Sequence, residues 1–215
     1  MLKACFFDLD GTLIDSEPIW IEAIVSALRT RHINTTFEEI QEFEIGHSWP
    51  EIFSVIKQRW PDAFAEIHEM EKNTTAYYES VIRSRDIAIY PSMELLKRLS
   101  SDGLCIGIVT GSVRSRVIQV LTHYSLTQFV NLVVSCEDYV HGKPAPDSYL
   151  LAAAKANVAP VDCCVFEDAT TGILAAKNAG MKCVALAKTS EQRQEFQSIA
   201  DVVLDSLASV SLDSL

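Results

Sequence analysis

The sequence predicts an α/β protein with a doubly wound parallel sheet and a helical segment inserted after the first strand. Beyond residue 87, short apolar runs alternate with segments of helical periodicity, which is the pattern of successive βαβ units. Residues 16–86 show helical periodicity and no strand-like run. We therefore expect a Rossmann-like core domain made of residues 1–15 and 87–215, and a four-helix domain made of residues 16–86.

The first strand is expected at residues 5–7, an apolar run that a parallel sheet buries on both faces. Asp8 and Asp10 follow it, and Gly11 and Thr12 then supply a turn and a hydroxyl group. Residues two apart in an extended chain face the same side, so both carboxylates are expected to point into one small volume. The alternative is an ordinary turn, in which Asp and Gly are common.

Four helices are expected in the inserted segment, because its apolar residues recur at helical spacing. Thr36 and Glu39 have the spacing of a capping box, and Ser48 and Glu51 repeat it. The expected helix starts are Glu17, Thr36, Ser48 and the segment after Pro61, and the first helix is expected to continue to about Arg31.

The rest of the core domain is predicted to alternate between helices and strands. Gly103 and Gly180 mark the ends of two of these helices, since glycine favours the position after a helix. The expected strands lie near residues 104–110, 132–135, 163–166, 182–187 and 201–204, and the expected helices near residues 92–103, 113–124, 148–157 and 170–179.

Polar residues follow four of the predicted strands. Ligands of a doubly wound sheet bind outside the carboxyl ends of its strands, so these residues are expected to meet at one edge. They are Asp8 with Asp10, Thr110 with Gly111 and Ser112, Lys143 in the loop after the third core strand, and Glu167 with Asp168.

Four carboxylates at one edge of a sheet require a cation. Ligation by oxygen alone favours Mg²⁺, so Asp8, Asp10, Glu167 and Asp168 are the candidate metal residues. For Glu167 and Asp168 the alternative is a helix-capping role, because Asp is a favoured N-cap.

The remaining polar residues suit an anion. Thr110, Gly111 and Ser112 lie where a strand leads into a helix, and free N–H groups at such a position bind phosphate. Lys143 is expected to be the only strong fixed cation at this edge, although most lysines are solvated surface charges.

A metal, a lysine, a hydroxyl and free N–H groups at one place suit a phosphoryl group. Phosphate-monoester hydrolysis requires up to ~10²¹-fold acceleration. General acid–base catalysis supplies only about 10²–10⁴, so a nucleophile such as an Asp carboxylate is needed.

Composition narrows the class of partner. A formal net charge of −11 argues against nucleic acid and acidic membranes, since both need basic patches. Six cysteines occur without a Cys-x-x-Cys pair, so structural zinc is not expected. We expect a cytoplasmic protein, because the cysteines lie in apolar runs and no signal peptide or membrane span is evident. A monomer or weak homodimer is the expected state of assembly.

These residues together resemble the four motifs of the haloacid dehalogenase-like (HAD) superfamily, and the resemblance extends over most of the chain. In motif order, the matches are Asp8-Leu-Asp10-Gly11-Thr12, Thr110, Lys143 in Gly-Lys-Pro-x-Pro-Asp, and Glu167-Asp168.

The resemblance implies a role for each acid. Asp8 is the implied nucleophile, and Asp10 is the implied general acid and then base. Mg²⁺ is implied to bind the Asp8 side chain, the Asp10 backbone carbonyl and Asp168. Glu167 is implied to contribute directly or through water.

Residues 16–86 resemble the helical cap of the branch that contains β-phosphoglucomutase and many sugar phosphatases. The mutases carry a hinge His where this chain reads Asp-Ser-Glu-Pro-Ile-Trp at residues 15–20. They also carry an Arg after a Gly that matches Gly46, where this chain has His47. A mutase must hold a bisphosphate, so both differences favour hydrolysis. The expected substrate loop of the cap is Ile45–Trp49, with Gly46 and His47 as the expected substrate contacts. Trp49 is a further candidate; packing is the alternative for His47 and the favoured role for Trp49.

The sequence as a whole predicts a Mg²⁺-dependent phosphatase acting on a small phosphorylated metabolite, with a sugar phosphate as the expected class. Two alternatives stay open. One is a β-phosphoglucomutase-like phosphomutase, and the other is a non-catalytic regulator that binds Mg²⁺ and phosphate.

Overall fold

The computed structural model describes residues 1–44, 49–82 and 84–211, apart from the side chains of residues 44 and 49. The chain divides into two compact units. The core unit comprises Met1–Asp15 and Ala88–Leu215, and the helical unit comprises Ser16–Ile87.

The described part of the helical unit contains α1 (Glu17–Arg29), α2 (Phe37–Glu44), α3 (Trp49–Arg59) and α4 (Ile67–Val81). Its apolar core is formed mainly by the inward faces of these helices. The fully buried members include Ile21, Ile24, Leu28, Ile40, Ile56 and Met70.

The capping box predicted at Thr36 and Glu39 is confirmed. The Glu39 N–H donates to Thr36 Oγ1, and the Thr36 N–H donates to the Glu39 carboxylate, both at 3.3 Å. The second expected capping box includes Ser48, which lies outside the described residues.

Two helix boundaries in this unit differ from the expectation. Helix α1 ends at Arg29, because Arg31 turns back to donate to the Ala27 carbonyl and His32 adopts a left-handed backbone. Helix α4 begins only at Ile67, because the backbone of Glu66 is extended (φ −134°, ψ 156°). The Ala65 N–H, just before it, donates to the Glu69 carboxylate at 2.8 Å.

The core unit contains a six-stranded sheet in which every neighbouring pair is parallel. The strand order is β3-β2-β1-β4-β5-β6, so the direction of winding reverses between β1 and β4. The predicted doubly wound α/β fold is confirmed. The strands are β1 (Ala4–Phe7), β2 (Cys105–Val109), β3 (Leu132–Val134), β4 (Cys163–Glu167), β5 (Lys182–Leu186) and β6 (Val202–Leu204).

Helices connect these strands. They are α5 (Tyr90–Ser101), α6 (Arg114–His123), α7 (Asp147–Ala156), α8 (Thr170–Asn178) and α9 (Ser190–Phe196). Strand β1 is completely buried, and Phe7 stacks on Phe166 of β4 with ring centroids 4.5 Å apart. Backbone pairing places Phe7 opposite Phe166, so the residues that follow β1 and end β4 lie close together.

Within the described ranges, which omit residues 45–48, 83 and 212–215, no helix is both long enough and apolar enough to span a membrane.

Candidate active site

Three carboxylates lie together at the carboxyl ends of β1 and β4. Asp8 follows β1 directly, Glu167 is the last residue of β4, and Asp168 is the next residue. Each offers one oxygen atom, and these atoms all lie within 4.8 Å of one another. The exposed fractions of Asp8 and Glu167 are only 7% and 1%. Buried like charges at this distance need compensating cations.

Lys143 supplies one such cation from the loop before α7. Its Nζ donates to Asp8 Oδ1 at 2.6 Å, to Glu167 Oε1 at 2.5 Å and to the Val109 carbonyl at 3.2 Å. Burial disfavours the ammonium form, but the Asp8 and Glu167 carboxylates outweigh it and hold the pKa of Lys143 above its ordinary value. Burial raises the pKa of Asp8 well above its ordinary value, although Lys143 acts in the opposite direction.

Asp10 takes a different position from Asp8. The Ser112 hydroxyl donates to Asp10 Oδ2 at 2.6 Å, and the Asp10 carboxylate is not part of the three-carboxylate group. The argument from strand alternation does not apply to Asp10, because β1 ends at Phe7 and the chain turns beyond it. Gly11 has a φ of +84° in this turn.

The residues after β2 form the connection to α6. Thr110 is buried, and its N–H donates to the Val134 carbonyl at 3.0 Å, which extends the pairing of β2 with β3. The Ser112 N–H donates to Thr110 Oγ1 at 3.0 Å, so it is already paired here rather than directed at an anion. Gly111 is exposed, and a side chain there would meet no atom within 4 Å. The cap residues Gly46 and His47 lie outside the described residues.

Two glycines make room for the carboxylates. A Cβ at Gly172 would lie 1.9 Å from Glu167 Oε1, and a Cβ at Gly11 would lie 1.8 Å from Asp168 Oδ2. Non-bonded atoms do not approach that closely, so any side chain at either position would displace a carboxylate. The Thr12 hydroxyl donates to Asp168 Oδ1 at 3.0 Å and orients it further.

This arrangement fits a divalent cation. All three grouped ligand atoms are carboxylate oxygens, which hard cations prefer. Gly172 and Gly11 leave space for the Glu167 and Asp168 carboxylates, and the Thr12 hydroxyl orients Asp168. The described residues therefore contain an acidic group able to hold a divalent metal.

Tyr149 is a site residue that the sequence reasoning missed. Its hydroxyl donates to Glu167 Oε1 at 2.7 Å, and the Lys143 Nζ lies 5.1 Å from its ring centroid. Tyr149 is completely buried, so its contacts restrict the positions of the Glu167 carboxylate and the Lys143 ammonium group. The sequence did contain a signal for this residue. Tyr149 combines an apolar ring with a polar hydroxyl, and it lies in the first turn of the helix that follows Lys143.

Lys188 is a second missed residue. Its Nζ lies 3.5 Å from Asp168 Oδ2 and 3.7 Å from Asp15 Oδ1. The expectation that Lys143 is the only strong cation at this edge is therefore wrong. Lys188 follows β5 by two residues, so the rule of polar residues at strand ends would have found it.

The titration of Asp168 leads to a prediction for the metal-free protein. Burial raises its pKa from 3.8 to about 7, while Lys188 acts against this rise. The folded state then binds more protons than the unfolded chain between about pH 4 and 7, so stability falls as the pH rises through this window. Relative to Asp168→Asn, we expect the wild type to lose at most about 4 kcal/mol from pH 4 to 7, measured by urea unfolding in chelator.

Asp162→Asn is the matched control for this measurement. The hydrogen bond from Lys3 holds the pKa of Asp162 below its ordinary value. Asp162 is therefore ionised in both states above pH 5, and the difference from wild type should not change between pH 5 and 7. A difference between wild type and Asp168→Asn that is independent of pH would contradict the prediction.

Comparison with known proteins assigns the family. Residues 5–186 match the family profile described as haloacid dehalogenase-like hydrolase. The chain belongs to the haloacid dehalogenase-like hydrolases. The resemblance inferred from the four motifs is thereby confirmed.

Full-length relatives of this HAD-like chain include phosphatases. It is 32% identical over 210 residues to validoxylamine A 7'-phosphate phosphatase of Streptomyces hygroscopicus subsp. limoneus, covering 98% of the chain and 96% of the relative. It is 26% identical over 214 residues to hexitol phosphatase B of Escherichia coli K12, covering 100% of the chain and 96% of the relative.

Among solved structures, the HAD-like chain is similar to β-phosphoglucomutase from Clostridium difficile. The TM-score is 0.81 and the identity 25%, with 99% of this chain and 95% of the other covered. The family and its full-length relatives identify this chain as an enzyme of the hydrolase type.

Proposed function

We propose that this enzyme is a Mg²⁺-dependent phosphatase that hydrolyses a small phosphorylated metabolite, a sugar phosphate being the favoured class. The observation that carries the proposal is the position of Asp8. It is a buried carboxylate that contacts the Lys143 ammonium and also belongs to the three-carboxylate group. The relatives named as phosphatases act on phosphorylated substrates, which supports the same reaction here.

In the proposed first step, an Asp8 oxygen attacks phosphorus while the bond from phosphorus to the leaving oxygen breaks. This gives an aspartyl phosphate, and Asp10 donates a proton to the leaving oxygen. In the second step, Asp10 takes a proton from the water that attacks phosphorus, and Asp8 is released. Lys143 donates to Asp8 Oδ1 at 2.6 Å, which orients the Asp8 carboxylate for the attack and favours its ionised form.

Two further sets of groups support this chemistry. Mg²⁺ would be held by Asp8, Glu167, Asp168 and the Asp10 backbone carbonyl, and would offset the negative charge that repels a phosphate ester. Thr110, Gly111, Ser112 and Lys143 are the proposed phosphate-binding residues, because hydrogen-bond donors at this place stabilise the charge that develops during transfer. In this proposal the Ser112 N–H exchanges its hydrogen bond to Thr110 Oγ1 for one to the phosphate.

The helical unit is proposed to act as the cap that selects the substrate, with Gly46 and His47 as substrate contacts. We also propose a cytoplasmic location and a monomer or weak homodimer. The six cysteines are free thiols, which fits a reducing compartment.

The test is release of inorganic phosphate from a panel of sugar, sugar-alcohol and nucleoside monophosphates. We expect release from at least one sugar or sugar-alcohol phosphate with Mg²⁺, and none when a chelator replaces Mg²⁺. The same reactions followed by ³¹P NMR test the phosphomutase alternative. Interconversion of a sugar 1-phosphate and 6-phosphate without release would contradict a phosphatase. Binding of Mg²⁺ and phosphate without turnover of any substrate would favour the regulator.

A further inference from the structure

Lys188 lies at the three-carboxylate group but is not explained by the proposed mechanism. Its Nζ lies 3.5 Å from Asp168 Oδ2 and 3.7 Å from Asp15 Oδ1, which are ion-pair distances. The exposed fraction of the Asp168 side chain is 13%, against 36% for Lys188. The pair is therefore shielded from water on the Asp168 side, where an ionic interaction is stronger than at an open surface.

The backbone at Lys188 is held in place by the start of α9. The Lys188 N–H donates to Gln192 Oε1 at 2.8 Å, and the Gln192 N–H donates to Thr189 Oγ1 at 3.2 Å. The lysine thus leaves the sheet edge from an anchored segment, so its proximity to Asp168 follows from the fold.

The two lysines divide the carboxylates between them. Lys143 donates hydrogen bonds to Asp8 and Glu167, whereas Lys188 places its ammonium group 3.5 Å from Asp168. Removing the Lys188 ammonium would take one positive charge from this edge of the sheet, where the carboxylates of Asp15 and Asp168 lie beside it. A divalent cation adds positive charge at the same place, so the metal and Lys188 repel each other and both attract a phosphate group.

We propose that Lys188 is a charge-balancing residue of the active site, with opposite effects on its two ligands. It weakens binding of the divalent metal, because a cation already interacts with Asp168. It strengthens binding of the phosphoryl anion once the metal is present, because its ammonium group adds an attractive positive charge beside Asp168. This inference rests on the proposed function, since it assumes that metal and phosphate bind at this place.

The test uses Lys188→Met, which removes the charge and keeps an unbranched apolar chain. Titration calorimetry measures Mg²⁺ binding to the substrate-free protein and then inorganic phosphate binding to the Mg²⁺-loaded protein. We expect Mg²⁺ to bind about 3- to 10-fold more tightly and phosphate about 3- to 10-fold more weakly than in the wild type. Neither measurement depends on turnover.

Two further variants control the experiment. Lys97→Met makes the same change in net charge on α5, where Lys97 pairs with Glu94 at 2.8 Å, and should leave both affinities within about twofold of wild type. Lys188→Arg retains the charge and should stay closer to wild type than Lys188→Met in both affinities.

The outcomes separate this inference from the proposed function. Changes of the same sign in both affinities, or no change, would overturn the role of Lys188 while wild-type phosphatase activity stands. A wild-type protein that binds neither Mg²⁺ nor phosphate would overturn both.

Discussion

Asp8→Asn is expected to reduce phosphate release by at least about 10⁴-fold while the protein stays folded. The amide has the shape of the carboxylate but is a poor nucleophile, so no aspartyl phosphate forms. Folding should not suffer, because burial raises the pKa of Asp8 and its charge is therefore costly in the folded state. Lys143 keeps its hydrogen bonds to Glu167 and Val109. Phosphate release and thermal unfolding are measured on the same preparation.

Asp162→Asn is also the control for this variant. It makes the same chemical change at a carboxylate that pairs with Lys3 at 2.7 Å, outside the three-carboxylate group. Its activity should stay close to that of the wild type. Asp8→Asn with activity within about tenfold of wild type would reject Asp8 as the nucleophile.

Lys143→Met is expected to destabilise the metal-free protein by about 3–5 kcal/mol at pH 8. The reason is that Asp8 and Glu167, both buried, lose the ammonium group that contacts them. Without it the pKa of Asp8 rises further, so protonation of Asp8 relieves part of the loss at lower pH. The destabilisation should therefore be smaller at pH 6 than at pH 8. Urea unfolding in chelator at the two pH values measures both effects.

Lys3→Met provides the comparison for Lys143→Met. Lys3 also forms a lysine–aspartate pair, with Asp162 at 2.7 Å, but the exposed fraction of its side chain is 62%. Exposed pairs contribute about 0–1 kcal/mol, so this variant should lose little stability at either pH. If Lys143→Met lost no more stability than Lys3→Met, the buried carboxylates of Asp8 and Glu167 would not need the Lys143 ammonium.

The fold was predictable because its signals are local. Apolar runs such as residues 163–166 and helical periodicity such as that of α1 reflect burial that recurs within a few residues. Element boundaries were less predictable. Helix α4 begins at Ile67 because the backbone of Glu66 is extended, which apolar spacing does not encode.

The candidate site was predictable to the extent that it follows from strand ends. Asp8, Lys143, Glu167 and Asp168 were singled out because each follows or ends a strand or occupies a loop on that edge, and the structure brings all four together. Lys188 was overlooked although the same reasoning applied to it. Tyr149 was overlooked because it lies within a helix and its ring belongs to the apolar core.

The sequence by itself determined the order of strands and helices and the polar residues that end up at one edge of the sheet. Only the tertiary structure decided which of them touch. It directs Asp10 to Ser112, places Lys143 between Asp8 and Glu167, and brings Lys188 close to Asp168. The Lys143–Asp8 contact joins residues 135 positions apart, and the Thr12–Asp168 contact joins residues 156 apart. Contacts between residues so far apart in the sequence depend on sheet register and on the turns beyond the strands, which local periodicity does not determine.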